Sequence, residues 1–158
     1  MKTIISLLVI LLLVCAGGSS ASFAENHQPV RQSTDPRQLD RKRVSITLGE
    51  KTIHAVVADQ EKTLLEGLLG WDRITDEEGM LLDFGRSGQY AIHMQGMKFP
   101  IDALWIDANG EVKLIYEQIQ PNSGRIYPSV YSCRYCLEIQ SGFCKRYGVK
   151  EGDKIRLR

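Results

Sequence analysis

Ala103-Leu104-Trp105-Ile106-Asp107-Ala108-Asn109-Gly110-Glu111-Val112-Lys113-Leu114-Ile115-Tyr116 is the stretch whose reading decides the fold. Two apolar, β-prone runs flank Asn109-Gly110, a dipeptide that accepts the positive φ of a tight turn, so the segment is predicted to be a β-hairpin. Upstream, residues 44–48 alternate with period two and residues 52–57 are β-branched and apolar. Gly49-Glu50-Lys51 between them reads as a second hairpin connection. Residues 80–84 and 89–94 look like further strands. Downstream, a loop rich in Pro, Asn, Ser and Gly (residues 121–128) leads to a strand at 135–139, and residues 154–157 alternate as a closing strand. Helical spacing is confined to two places. Leu64, Leu65, Leu68 and Leu69 mark a short amphipathic helix over 60–69, with Asp59 as N-cap and Gly70 as stop, and residues 142–147 make one turn ending at Gly148. Many short strands with hairpin links predict a mainly β domain: a single-domain antiparallel β-sandwich or barrel with one or two short helices.

The 158 residues hold 43% hydrophobic and 8% aromatic side chains, ordinary globular composition that excludes wholesale disorder and a fibrous repeat. Of the 20 basic and 19 acidic residues, six and three fall in residues 1–43, leaving 14 and 16 in the remainder. That balance argues against a nucleic-acid partner. Met1-Lys2-Thr3, the apolar run 4–16 and the small residues 17–24 form the three-part layout of a secretory signal peptide. The run is too short for a permanent membrane span. Cleavage is expected after Ala24, with Ala21 the nearby alternative; lipidation at Cys15 is the weaker reading because Cys15 follows Val14 rather than a small residue. Residues 25–43 offer only Val30 and Leu39 for burial, so they are predicted to be a disordered tether. The domain then runs from 44 to 158, delivered to the periplasm, cell envelope or exterior.

A series of short motifs crosses that domain: Glu66-Gly67-Leu68-Leu69-Gly70, Gly79-Met80-Leu81-Leu82, Met94 to Asp102, Leu137-Glu138-Ile139, Gly142, Tyr147-Gly148-Val149 and Gly152-Asp153. Together they resemble the uncharacterised family called domain of unknown function 192 (DUF192). The resemblance implies a small, mostly β fold, often behind a signal peptide, and no established activity, substrate or catalytic residue. Ile92-His93-Met94-Gln95 stands where the family commonly has aromatic-Trp-Met-Lys, and Trp71 where it commonly has Arg. Each loss removes a cation or an aromatic platform, so any anion binding or ring stacking there would be achieved differently in this chain.

Three sets of residues carry candidate chemistry. His93, Met94 and Met97 offer imidazole and thioether ligands of the kind that suit copper, although in a strand His93 and Met94 point to opposite faces. Asp102 and Glu138 each sit between apolar neighbours. Either they alternate outward to water or they are buried carboxyls, and sharing one cleft they could act as general acid and base of a hydrolase-type enzyme. Cys133, Cys136 and Cys144 remain after signal removal. In an exported protein they predict one disulfide, either Cys133–Cys144 or Cys136–Cys144. A zinc site would need a fourth ligand, and the three histidines lie far off in sequence. Phosphate loops, a serine nucleophile elbow and HExxH are absent. The favoured expectation is an exported, non-catalytic ligand-binding or accessory module. Its candidate surface is His93, Met94, Met97, Asp102 and Glu138, its partner an unidentified small molecule or envelope component. An Asp102/Glu138 enzyme and a metal or redox protein are the alternatives.

Overall fold

In the computed structural model, residues 41–158 are described; the segment expected to be a signal peptide, residues 1–24, and residues 25–40 of the expected tether lie outside them. Arg41 and Arg43, expected within the tether, are instead engaged with the domain. Arg43 opens the first strand, and Arg41 is drawn against the domain by a 2.7 Å ion pair to Glu66.

Two strands form the first hairpin, β1 (Arg43–Leu48) and β2 (Lys51–Ala58), in the register Ile46 opposite Ile53. The short helix α1 (Glu61–Glu66) then carries the chain across to β3 (Glu78–Gly88). β3 runs parallel to β2. The sheet is therefore mixed and not purely antiparallel, because a helical crossover between neighbouring strands returns the chain in the same direction. Gln60, and not Asp59, caps α1, exchanging hydrogen bonds with Thr63. The next strands are β4 (Ala91–His93), β5 (Ile101–Ile106) and β6 (Val112–Ile119), followed by β7 (Ile126–Pro128) inside the segment expected to be loop. β8 (Cys133–Gln140), α2 (Phe143–Tyr147) and β9 (Arg156–Leu157) complete the described chain.

Seven strands make one curled sheet, a half-barrel in the order β6-β5-β8-β3-β2-β1-β9, and β4 pairs with β7 in a separate two-stranded sheet. The curl brings the two ends of the large sheet near each other, where Glu111 bridges to Lys154. The deciding hairpin is β5–β6. At its tip the Asp107 carboxylate accepts the backbone N–H groups of Asn109 and Glu111 at 2.8 and 2.9 Å, and Gly110 alone takes positive φ, +80°. This is a three-residue turn with a glycine bulge, not a two-residue one, and the register shift between Trp105 and Ile106 accommodates it.

Each face of the large sheet carries its own core. Ile46, Ile53, Leu104, Ile106, Leu137, Ile139 and Phe143 fill one side. Met80, Leu82, Ala103, Trp105 and Cys136 on the other side are covered by Leu68, Trp71 and Ile74 after α1, and by Ile92 and Met94 of the small sheet region. All six residues of β5 are buried because both faces are covered, which explains why its sequence is apolar at every position but Asp102.

Candidate functional site

Strand parity decides which candidate residues meet. β5 and β8 pair with Asp102 opposite Ile139 and Ala103 opposite Glu138. Side chains directly opposite each other share a face. Asp102 consequently shares the face of Ile139, while Glu138 projects from the other face with Ala103 and Met80. The two carboxyls do not share a cleft, so the acid–base pair expected of a hydrolase does not exist.

Asp102 is a structural residue. It is fully buried and accepts three backbone N–H groups: Gln118 at 2.8 Å, Gly142 at 2.9 Å and Cys144 at 3.0 Å. It thus ties β6, at a point where Gln118 is held at φ +53°, to the start of α2. Charge-assisted bonds of this kind are stronger than neutral ones and make burial of a carboxylate affordable.

Glu138 differs. Its side chain is 7% exposed, and its Oε2 atom is buried with no hydrogen-bond partner among the described residues. Burial pushes its carboxyl up to about 7, because removal from water disfavours the charged form. The oxygen looks toward the turn that follows α1, where a Cβ on Gly67 would sit 3.8 Å from Oε2. Gly67 holds φ +48°, a conformation that disfavours any side chain. Gly67 and Glu138 border the same space.

That space is a cavity of about 150 Å³ between α1, β3, β4 and β8. Leu64, Leu68, Leu82, Phe84, Ile92 and Met97 give it apolar walls; His93, Gln95 and Glu66 bring polar groups, and Glu138 lines it as well. His93 is exposed, and its Nδ1 accepts the Gln95 backbone N–H at 3.3 Å, which leaves Nε2 to carry the ring proton in the neutral form. Glu66 is held by Arg41 at 2.7 Å and Lys62 at 3.8 Å.

Of the predicted surface, then, His93, Met97 and Glu138 come together, whereas Met94 is buried in the core and Asp102 lies across the sheet. His93, Met94 and Met97 do not form one ligand set, and among the described residues no group of three His, Cys, Asp or Glu side chains could hold a metal ion. The expected disulfide is also corrected. Cys133, Cys136 and Cys144 are free and buried. Cys133 and Cys136 belong to one face of the sheet and Cys144 to the other, so the sheet separates the partners in both proposed pairings. Burial raises all three thiols above their ordinary range, which makes them unreactive as nucleophiles.

Sequence reasoning missed Gly67, Phe84 and the leucines of α1 as site residues. Leu64, Leu65, Leu68 and Leu69 were expected to bury one helix face. Only Leu68 is buried; Leu65 is 74% exposed and Leu69 39%, and both border the cavity. The available signal was the density of leucine in a helix too short to bury it.

Comparison with known proteins adds family and fold. Residues 44–157 match the family DUF192, described as "Uncharacterized ACR". A solved structure from Sinorhizobium meliloti 1021, a protein named as a candidate transcription regulator, is 28% identical with a TM-score of 0.69, covering 74% of this chain and 93% of that one. A protein of unknown function from Novosphingobium aromaticivorans DSM 12444 shares the fold at 23% identity and a TM-score of 0.68, covering 88% of this chain and 99% of that one. No curated protein matches the chain. Among the described residues no helix is long and apolar enough to cross a membrane.

Proposed function

Since the chain belongs to the DUF192 family, which brings no assigned activity, we propose from its own geometry that it is an exported, non-catalytic binding or accessory module. In this reading it holds a small amphiphilic molecule in the cavity over Glu138. One observation carries the reading: Glu138, one of whose carboxyl oxygens is buried without a hydrogen-bond partner among the described residues, lines a largely apolar cavity. Burying such a group unpaired is costly, and pockets that bind small molecules combine apolar walls with a few placed polar groups. A cavity of about 150 Å³ accommodates a benzene-sized molecule.

Delivery outside the cytoplasm rests on residues 1–24, whose layout is that of a secretory signal. The regulator name of the Sinorhizobium meliloti protein is not extended to this chain. The 14 basic and 16 acidic residues from 44 onward give no electrostatic footprint for nucleic acid.

A thermal-shift screen of small amphiphiles against the wild type and Glu138→Leu tests the proposal. A ligand should raise the melting temperature of the wild type, fail to do so in the variant, and be recovered unchanged. Turnover of the ligand, or stabilisation equal in both proteins, would overturn it.

A further inference from the structure

We infer that the molecule held over Glu138 carries a protonated amine, on a body of about six to eight non-hydrogen atoms, a size set by a cavity of about 150 Å³. This inference rests on the binding reading above and specifies its ligand.

The charge at Glu138 itself favours a cation. Glu66 already has cationic partners in Arg41 and Lys62. Glu138 has none, and no cationic side chain of the described residues reaches its buried oxygen. A ligand carboxylate would meet a second carboxyl in a desolvated site, a like-charge contact that is disfavoured. An alcohol could donate a single hydrogen bond. An ammonium donates up to three and forms a charge-assisted bond, the stronger kind. Phe84, stacked on Tyr90 with ring centroids 3.9 Å apart and on Trp105 at 5.9 Å, supplies an aromatic wall for the apolar body of the ligand.

Calorimetric titration of the full chain with hexylamine, hexanol and hexanoate at pH 7.5 tests the inference. Hexylamine should bind at least about tenfold tighter than hexanol, and hexanoate weakest. In Glu138→Gln the amine and alcohol should differ by less than about twofold. Hexanol or hexanoate equalling hexylamine in the wild type would overturn the amine while leaving the cavity reading intact. Failure of all three to bind would overturn both. A readout independent of the variant is the pH dependence of the wild type. The titratable groups that line the cavity with Glu138 are Glu66 at the end of α1 and His93 on β4, and Cys136 neighbours Glu138 on its own strand. Hexylamine affinity should fall about tenfold per pH unit once the pH drops below about 7, as Glu138 takes up its proton. Hexanol, measured over the same range, should hold steady; a parallel fall for both would refute the inference.

Discussion

Replacing Glu138 by Gln should remove a specific pH dependence from the stability of this protein. Burial holds the Glu138 carboxyl at about 7, against 4.5 for the free side chain. Between those values the folded protein keeps a proton that the unfolded chain has released, so the folded state is the one binding more protons. Stability must fall as pH rises through that window, and above about pH 7 the folded protein carries a desolvated charge at constant cost. The interval from 4.5 to about 7, at about 1.4 kcal/mol per pH unit, comes to about 3 kcal/mol. Urea unfolding of the wild type and Glu138→Gln, without ligand, at intervals from about pH 4 to pH 8.5 measures it. Subtracting one stability curve from the other cancels every titrating group the two proteins share. The difference should decline by about 3 kcal/mol between about pH 4.5 and 7 and be flat outside that range. A difference constant to within about 0.5 kcal/mol would show that Glu138 is solvated or paired, and the site as described would not stand.

Asp102→Ala should destabilise by about 3 kcal/mol or more in urea, since three buried N–H groups lose their acceptor. A loss below about 1 kcal/mol would contradict its structural role. Gly79→Ala should cost about 2 kcal/mol or more in thermal unfolding, because the new Cβ would lie 2.9 Å from the Glu138 backbone oxygen, and backbone in a paired strand cannot step aside. Peptide mapping after alkylation without reductant should find Cys133, Cys136 and Cys144 unmodified in the native protein and all alkylated in urea; any disulfide-linked peptide from this set refutes the placement. Leu65→Ser should leave stability within about 0.5 kcal/mol, as expected at a position 74% exposed, yet weaken hexylamine binding severalfold. Unchanged affinity would place the cavity mouth elsewhere.

Much of the secondary structure was readable from local pattern. The alternation of 44–48, the turn at Asn109-Gly110 and the cluster of leucines after Gln60 each express a preference of neighbouring residues. The same locality hid β7, whose three residues pair with β4 within a segment rich in turn formers. It also hid the parallel β2–β3 pair, since strand direction depends on the path of the connection and not on the composition of the strands.

The site divides along the same line. His93 and Met94 were expected on opposite faces from strand periodicity alone; the structure has one exposed and the other buried. Nothing local could reveal that Asp102 and Glu138 lie on opposite faces of the sheet, or that Cys144 is separated from Cys133 and Cys136. The sequence by itself determined the β class, the family and the presence of two acids in apolar surroundings. The tertiary structure decided which acid is satisfied and which faces a cavity. Side-chain direction alternates within a strand by local geometry, but the pairing of Asp102 with Ile139 is a contact between distant segments. A slip of one residue in that register would have put both carboxyls on the same face.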